Sequence, residues 1–367
     1  MIDYQVISAD DHMDMIALPP NLWEERLPGN LRARGPKVVP QANGNFWMYE
    51  GEVIGSSGFP KDRTYPSAIV RAGIADDGFR PSNAKLRLQD MELDGVYAHV
   101  IYGPPTGLKI KNSEMKAACL EVYNSWAAEF NAIAPDRLCL LAYLPMHSPA
   151  AATAELKRVA KLGHKGAISS FFETSIPLHD TQWDVLWKAA EETGIALSVH
   201  LGGGTHMIQP KPASWQMAAF AAISPVQMDE VLASLTFCGA LERHPKMKLV
   251  LGESGLGWIP YVKERLDHEF HNHGANTRDY RIKELPSVTF ARQVYATFEE
   301  DKLGVKLLDL IGVDNVMWAS DYPHPDSTFP HSRQKIEEAF KGVKPEVVKK
   351  VVADNARKLY GVGKKVG

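Results

Sequence analysis

Several polar side chains of the types that bind metal ions follow short apolar runs of the sequence. Asp10 and His12 come after the first run, His200 after a later one and Asp321 after the last. Glu253 follows the run at 248–251. Two imidazoles and two carboxylates suit a borderline divalent cation, and an open position on that cation would activate a water molecule. We expect one divalent metal ion, with Zn²⁺ first and Fe²⁺ or Mn²⁺ as alternatives.

The first of these segments has the alternation of a β-strand. In Asp10-Asp11-His12 the first and third side chains would project from one face of an extended chain, and Asp11 from the other. His200 and Asp321 lie far away in the sequence, so the fold must bring strand ends together. Parallel strands arranged in a barrel do this, because their carboxyl ends converge on one mouth.

The apolar runs alternate with helix-patterned segments, which predicts parallel β-α-β units. The expected strands are 6–9, 98–102, 138–142, 166–169, 195–199, 248–251, 294–297 and 316–319. The expected helices include 82–93, 114–132, 150–162, 183–192, 228–242 and 334–340. No GxGxxG motif follows the first strand, which disfavours a dinucleotide-binding sheet. We predict an α/β protein, a single (β/α)8 TIM barrel spanning residues 1–367.

Residues 23–80 have a different composition. They are rich in Gly and Pro with short β-like pieces such as 44–53, and predict a long insertion after the first strand. Long ordered loops at a barrel mouth shape the active site or form a subunit contact, so a homodimer is one expectation.

The bulk composition narrows the classes of partner. The net charge of −3 argues against nucleic-acid binding, which needs a clustered basic face. No run of about 18 apolar residues and no secretory signal are visible, so we expect no membrane partner and a cytoplasmic location. Cys119, Cys139 and Cys238 show no close spacing, which predicts reduced and mostly buried thiols.

The motifs resemble those of the amidohydrolase superfamily, in the amidohydrolase 2 branch. That branch includes the aminocarboxymuconate semialdehyde and resorcylate decarboxylases. The resemblance rests on residues 8–12, 86–96, 123–126, 135–138, 179–187, 253–260 and 320–324, in this order along the chain. It implies a barrel fold with a metal site at the mouth.

By this resemblance, four residues match the family's metal ligands: Asp10, His12, His200 and Asp321. Asp321 would also move a proton. Glu253 is a departure, because the decarboxylases of this branch have a histidine at that point. Glu253 could act as a general base or as a further metal ligand.

Three other side chains are candidates for substrate binding: Trp258, His324 and His268. His324 could orient the substrate or cap its loop. His268 and His271 could help Glu253 to hold a second metal ion, although a helix-surface network is the preferred interpretation for both. Trp183 and Trp187, one helical turn apart, predict core packing.

The predicted function is a metal-dependent hydrolase acting on a small organic acid, ester or amide. The alternatives are a metal-dependent decarboxylase, a non-haem iron oxygenase on the same scaffold, and a barrel that binds without catalysis. The absence of histidine at position 253 favours hydrolysis over decarboxylation.

Overall fold

The computed structural model describes residues 3–104, 108–201, 207–208, 211, 214–274 and 281–363. Its strands are β1 Val6–His12, β2 Lys37–Gln41, β3 Gly44–Tyr49, β4 Glu52–Ser57, β5 Val96–Tyr102, β6 Leu138–Leu140, β7 Ala142–Tyr143, β8 Gly166–Ile168, β9 Ala196–His200, β10 Leu249–Gly252, β11 Val294–Phe298 and β12 Val316–Trp318. All except β2, β3 and β4 pair in parallel.

The parallel strands form the predicted barrel. β1 pairs with β5 and β5 with β6, while β7 to β12 pair in order. Leu141 joins β6 to β7, and its N–H donates to the Ile101 carbonyl, so β6 and β7 occupy one barrel position. The barrel closes where β12 meets β1: the Ser320 N–H donates to Ser8 Oγ at 2.7 Å. The predicted (β/α)8 fold is confirmed, whereas the single-domain organisation of residues 1–367 stays a prediction.

Helices separate the strands. They are Leu22–Arg26, Gly29–Arg32, Ala68–Arg71, Ala84–Asp94, Ser113–Ala132, Pro149–Lys161, Asp184–Thr193, Trp215–Ile223, Met228–Phe237, Ala240–Arg243, Ile259–Gly274, Pro286–Gln293, Lys302–Lys306, Leu308–Ile311, Ser332–Ala339, Pro345–Lys349 and Asn355–Tyr360, with a π-helical turn at Lys350–Asp354. The helix predicted over 228–242 is divided in two. Gly239 has a φ of 79°, which ends the first helix in the left-handed region.

The segment between β1 and the helix Ala84–Asp94 contains an antiparallel sheet, β2–β3–β4. The β-like piece predicted at 44–53 is a hairpin that turns at Glu50 and Gly51, both with positive φ. Trp47 anchors this sheet: its ring contacts Trp23 and its indole N–H donates to the Met15 carbonyl. This segment therefore packs as an ordered unit against the chain that leaves β1.

The hydrophobic core lies inside the barrel and between barrel and helices. Trp183 and Trp187 are buried in it, which confirms their predicted packing role. All three cysteines are free and buried, as predicted. Among the described helices, none combines the length and the apolar character that crossing a bilayer requires.

Two asparagines of the helix Ser113–Ala132 hold the interrupted third barrel strand. Asn131 exchanges two hydrogen bonds with the backbone of Leu140. Asn124 does the same with Tyr143, accepting from its N–H at 2.7 Å and donating to its carbonyl at 3.0 Å. Asn124 is fully buried and also donates to Glu155. Each asparagine side-chain amide thus makes hydrogen bonds to the strand backbone of the kind that a neighbouring strand would make.

We expect Asn124→Ala to lower the free energy of unfolding by about 3 kcal/mol, because buried backbone groups and Glu155 would lose their partners. Urea unfolding followed by fluorescence would measure this. Glu129→Ala on the same helix is the control, since it removes only an exposed ion pair with Arg26 and should cost less than about 1 kcal/mol. Equal urea midpoints for wild type and Asn124→Ala would contradict the assigned role.

Candidate metal centre

The five residues predicted as ligands or acid–base groups come together at the carboxyl ends of the strands. They are Asp10, His12, His200, Glu253 and Asp321, from β1, β9 and the residues after β10 and β12. The two histidine Nε2 atoms lie 3.6 and 3.5 Å from Asp10 Oδ1. Glu253 Oε2 is 3.3 Å from His200 Nε2 and 3.9 Å from His12 Nε2. Strand ends therefore converge as the barrel requires.

Asp10 has one oxygen fixed by the protein and one left toward the cluster. Its Oδ2 accepts hydrogen bonds from the Glu253 N–H at 2.7 Å and from Thr297 Oγ1 at 2.6 Å. Its Oδ1 is buried and has no hydrogen-bond partner. This arrangement is expected of a metal ligand: one carboxylate oxygen is held in place by hydrogen bonds from the protein, and the other is free to bind the ion.

The two histidines present their Nε2 atoms to the same point. His200 Nδ1 donates to the Leu201 carbonyl at 3.1 Å, which directs Nε2 toward Asp10 and Glu253. His12 Nε2 is 2.9 Å from Asp321 Oδ1, yet neither it nor His200 Nε2 makes a hydrogen bond. Buried nitrogen and oxygen atoms that lie within 4.8 Å of one another in this way can bind a divalent cation as its ligands.

Asp321 and Glu253 adopt backbone conformations that ordinary residues avoid. Their φ angles are 59° and 49°, in the left-handed region. The Asp321 N–H donates to the Asp10 carbonyl at 3.1 Å, and the Glu253 N–H donates to the Asp10 side chain. Hydrogen bonds to Asp10 thus hold both residues in these conformations, which are costly and concentrate at functional sites.

Charge at the cluster is unevenly distributed. Burial opposes ionisation of Asp321, but His324 and His12 outweigh it and hold the pKa of Asp321 well below its usual range. Burial and the nearby Asp321 raise the pKa of Glu253 to about 8. Burial disfavours charge on His200, yet Asp10 and Glu253 raise its pKa to about 9. The site is rich in carboxylates that favour a cation.

His324 belongs to the site. Its ring stacks on His12 with centroids 3.9 Å apart, and Nδ1 contacts Asp321 Oδ1 at 3.0 Å. Its Nε2 lies 3.0 Å from Asp14 Oδ2. Asp14 was not predicted, although it continues the alternation of Asp10 and His12 along one segment. That alternation was the signal that could have identified it.

Three further polar residues were missed at the ends of β11 and β12. Thr297 anchors Asp10, as described, and Glu299 and Asp326 lie within 4.8 Å of Asp321. Burial and the charge of Asp321 raise the pKa of Glu299 to about 10. Thr297 is the last residue of the seventh predicted strand and Glu299 lies two residues beyond it, so a search for polar residues at strand ends would also have selected them.

Asp11 points away from the cluster, as its position in the strand predicts. It accepts from Ser320 Oγ at 2.6 Å and from the Tyr322 N–H at 3.2 Å, so it joins β1 to the loop after β12. The buried Arg87 guanidinium donates to the His12 carbonyl at 3.0 Å. A polar network behind the site therefore holds the backbone on which His12 and Asp321 sit.

The remaining candidates lie elsewhere. Trp258 is partly buried against the core and donates to the Ser254 carbonyl, so its contacts are structural and its substrate contact stays a prediction. His268 lies in the helix Ile259–Gly274 beside Asn272. Within the described residues, neither His268 nor His271 belongs to a metal-type cluster with Glu253. The second metal site considered for them is therefore not formed there, and nothing in the geometry supports substrate binding by His268.

A family model described as amidohydrolase matches residues 90–362. The chain belongs to the amidohydrolase family. This confirms the resemblance drawn from the motifs and identifies the chain as an enzyme of that family. The match begins within the helix Ala84–Asp94 and includes every strand from β5 onward.

Relatives and solved structures agree with this assignment. The γ-resorcylate decarboxylase of Rhizobium radiobacter is 25% identical over 263 residues, covering 65% of this chain and 76% of the relative. A solved amidohydrolase from Mycobacterium avium subsp. paratuberculosis superposes with a TM-score of 0.76 at 19% identity, covering 98% and 100% of the two chains. A dihydroxybenzoic acid decarboxylase from Polaromonas, solved with manganese and the inhibitor 2-nitroresorcinol, gives 0.64 at 19% identity, covering 97% of each. The expectation of hydrolysis is thus less well supported than the decarboxylase alternative.

We expect His200→Ala to weaken divalent-metal binding by more than roughly 100-fold, because it removes a ligand atom at the centre of the cluster. Loss of a residue that only supports a ligand typically costs about 10–100-fold. Metal content after dialysis and competition with a chelator would measure it. His179→Ala, at an exposed histidine outside the cluster, should bind as wild type does. Unchanged metal content in His200→Ala would remove the basis for this centre.

Asp14→Asn tests the support of the cluster without touching a ligand. It removes the carboxylate that orients His324, so metal affinity should fall by about 10-fold or more. Asp14→Glu, which keeps the charge, should recover part of the loss. If Asp14→Asn and wild type bind Mn²⁺ equally, the contact through His324 has no role in holding the site.

Proposed function

We propose that the chain is a metal-dependent decarboxylase of small hydroxylated aromatic acids. One observation carries the proposal: the Glu253 carboxyl, about 32% exposed, faces a cluster of buried ligand atoms that lack hydrogen-bond partners. Relatives of the chain include γ-resorcylate decarboxylases, which supports decarboxylation over the hydrolysis expected from the sequence. Hydrolysis of a small ester or amide is the competing activity.

Asp10, His12, His200 and Asp321 would hold the cation. A bound divalent ion would supply positive charge that orients a carboxylate and an adjacent phenolic oxygen. Mn²⁺ is the first ion to test, since the Polaromonas decarboxylase was solved with manganese, and Zn²⁺ and Fe²⁺ follow. Asp321 has both oxygens in contact with His324, which suits a fixed ligand rather than a mobile acid.

Glu253 would deliver the proton that replaces the carboxylate. The proton of its carboxyl group passes to the ring carbon that bears the carboxylate, and the bond between that carbon and the carboxylate breaks. The electron pair of the broken bond restores the aromatic ring, carbon dioxide leaves, and Glu253 becomes a carboxylate. Its partial exposure lets it regain a proton from water, while its N–H remains bound to Asp10.

The activity test uses the full chain loaded with Mn²⁺ and, separately, with Zn²⁺. With γ-resorcylate we expect release of carbon dioxide and formation of resorcinol, and no comparable cleavage of aryl esters or anilides. Turnover of the esters or anilides without decarboxylation would reject the proposal in favour of hydrolysis. Chelation should abolish turnover, because the substrate would lose its orienting charge.

Glu253→Gln separates an acid from a ligand. The amide cannot donate a carboxyl proton, so kcat should fall by about 10²–10⁴-fold with metal content and KM little changed. Loss of metal together with activity would instead assign Glu253 as a ligand. Glu264→Gln, at an exposed position on the helix Ile259–Gly274, is the matched control and should retain full kcat. Retention of kcat in Glu253→Gln would exclude it as the proton donor.

A further inference from the structure

The side chain of Tyr102 spans the interior of the barrel. Tyr102 is the last residue of β5 and is fully buried. β5 and β10 occupy the second and sixth of the eight barrel positions, so they face each other across the interior. The ring nevertheless reaches β10, because a methyl group on Gly252 would lie 3.1 Å from its Cε1 and Cζ atoms. One aromatic side chain therefore connects opposite walls of the barrel.

Both candidate histidine ligands contact this ring. The ring centroids of Tyr102 and His200 are 4.9 Å apart, with the planes inclined by 52°. The centroids of Tyr102 and His12 are 6.3 Å apart, with an angle of 36°. These are the separations of aromatic rings that pack against each other in a protein core. The position of the tyrosine ring thus limits where the two imidazoles can lie.

Gly252 provides the space in which the rings of Tyr102 and His200 meet. It is the register partner of His200 between β9 and β10. A methyl group on Gly252 would lie 3.0 Å from His200 Cδ2, in addition to its close approach to Tyr102. Gly252 does not have a positive φ, so glycine is required here for space and not for backbone conformation. Any side chain at this position would displace one of the two rings.

The two ends of Tyr102 are held by different parts of the fold. Its backbone is fixed within β5, where its carbonyl accepts from the Met13 N–H at 2.8 Å. Its hydroxyl lies beside Ser198 Oγ and the hydroxyl of Tyr360, both of which are buried. Tyr360 comes from the helix Asn355–Tyr360 and also packs on a glycine, since a methyl group on Gly166 would lie 2.9 Å from its Cε1. The last helix of the described chain therefore supports Tyr102 from within the barrel.

We propose that Tyr102 is a positioning residue of the metal centre, whose ring, packed against Gly252, holds His200 in the orientation that directs Nε2 to the ion. The hydrogen bond from His200 Nδ1 to the Leu201 carbonyl fixes one edge of the imidazole. The contacts with Tyr102 and Gly252 fix the face of the ring and the opposite edge, which carries Cδ2. Supporting residues of this kind orient a ligand and thereby set the affinity for the metal. The inference rests on the metal centre described above and does not depend on which reaction the chain catalyses.

Metal binding by variants of the full chain tests the role of the ring. Tyr102→Leu removes the ring, so we expect the Kd for Mn²⁺ to rise by about 10–100-fold and the visible absorption spectrum of the Co²⁺-loaded chain to change. Tyr102→Phe keeps the ring and should raise the Kd by less than about 10-fold. Tyr295→Leu, at a buried tyrosine in β11, is the matched control. It should lower stability to urea but leave the Kd and the Co²⁺ spectrum as in wild type, because core packing alone does not set the metal geometry.

Gly252→Ala makes the same test with Tyr102 intact. The added methyl group must displace the ring of Tyr102 or of His200, so we expect weaker Mn²⁺ binding and an altered Co²⁺ spectrum. Gly29→Ala is its control, since a methyl group there would meet no other atom within 4 Å.

Each outcome decides for or against the role of Tyr102. Wild-type affinity and an unchanged Co²⁺ spectrum in both Tyr102→Leu and Gly252→Ala would overturn it. If Tyr102→Leu does not fold, as judged by circular dichroism, Gly252→Ala decides alone. His200→Ala separates the two inferences: if it keeps its metal, the centre itself is wrong. If His200→Ala loses the metal while Tyr102→Leu and Gly252→Ala bind it as wild type does, the centre stands and only the positioning role is rejected.

Discussion

The hydrogen bonds between the end of β12 and β1 are the constraint on which the rest of the molecule depends. Asp321 donates its N–H to the Asp10 carbonyl, and His12 donates its own to the Tyr322 carbonyl. These bonds close the barrel, and they also set the separation of the first and last candidate ligands. Closure of the barrel and the placement of these ligands therefore rest on the same hydrogen bonds. The buried Asp11, which accepts from Ser320 and Tyr322, secures that junction from behind.

Within that frame, Asp10 organises the site. Its fixed oxygen receives the Glu253 N–H and the Thr297 hydroxyl, so one side chain of β1 sets the position of residues from the sixth and seventh barrel strands. Its other oxygen faces both histidines. Because Glu253 and Asp321 each need a left-handed backbone, such anchoring is what lets non-glycine residues occupy these positions. The chemistry proposed for Glu253 depends on this support.

The family and the detailed site come from different kinds of information. The chain matches amidohydrolases over most of its length, and the fold agrees with solved members at low identity. Glu253, at a point where the family resemblance implies a histidine, is the feature that favoured hydrolysis in the sequence. The relatives favour decarboxylation, and a partly exposed carboxyl beside the cluster can serve that chemistry as a proton donor. A changed side chain at one strand end need not change the reaction class, because carboxyl and imidazole groups both transfer protons.

The sequence by itself determined the barrel and five members of the cluster. Alternating apolar runs and helices specify parallel units, and strand ends must converge, so Asp10, His12, His200, Glu253 and Asp321 could be placed together. Only the tertiary structure decided their surroundings. The contact of His324 with Asp14 spans 310 positions, and no local pattern encodes it. The division of the helix predicted at 228–242 and the distance of His268 from the cluster likewise follow from how the elements pack. Periodicity reports which face of an element is apolar, whereas partners and distances are set by packing between elements.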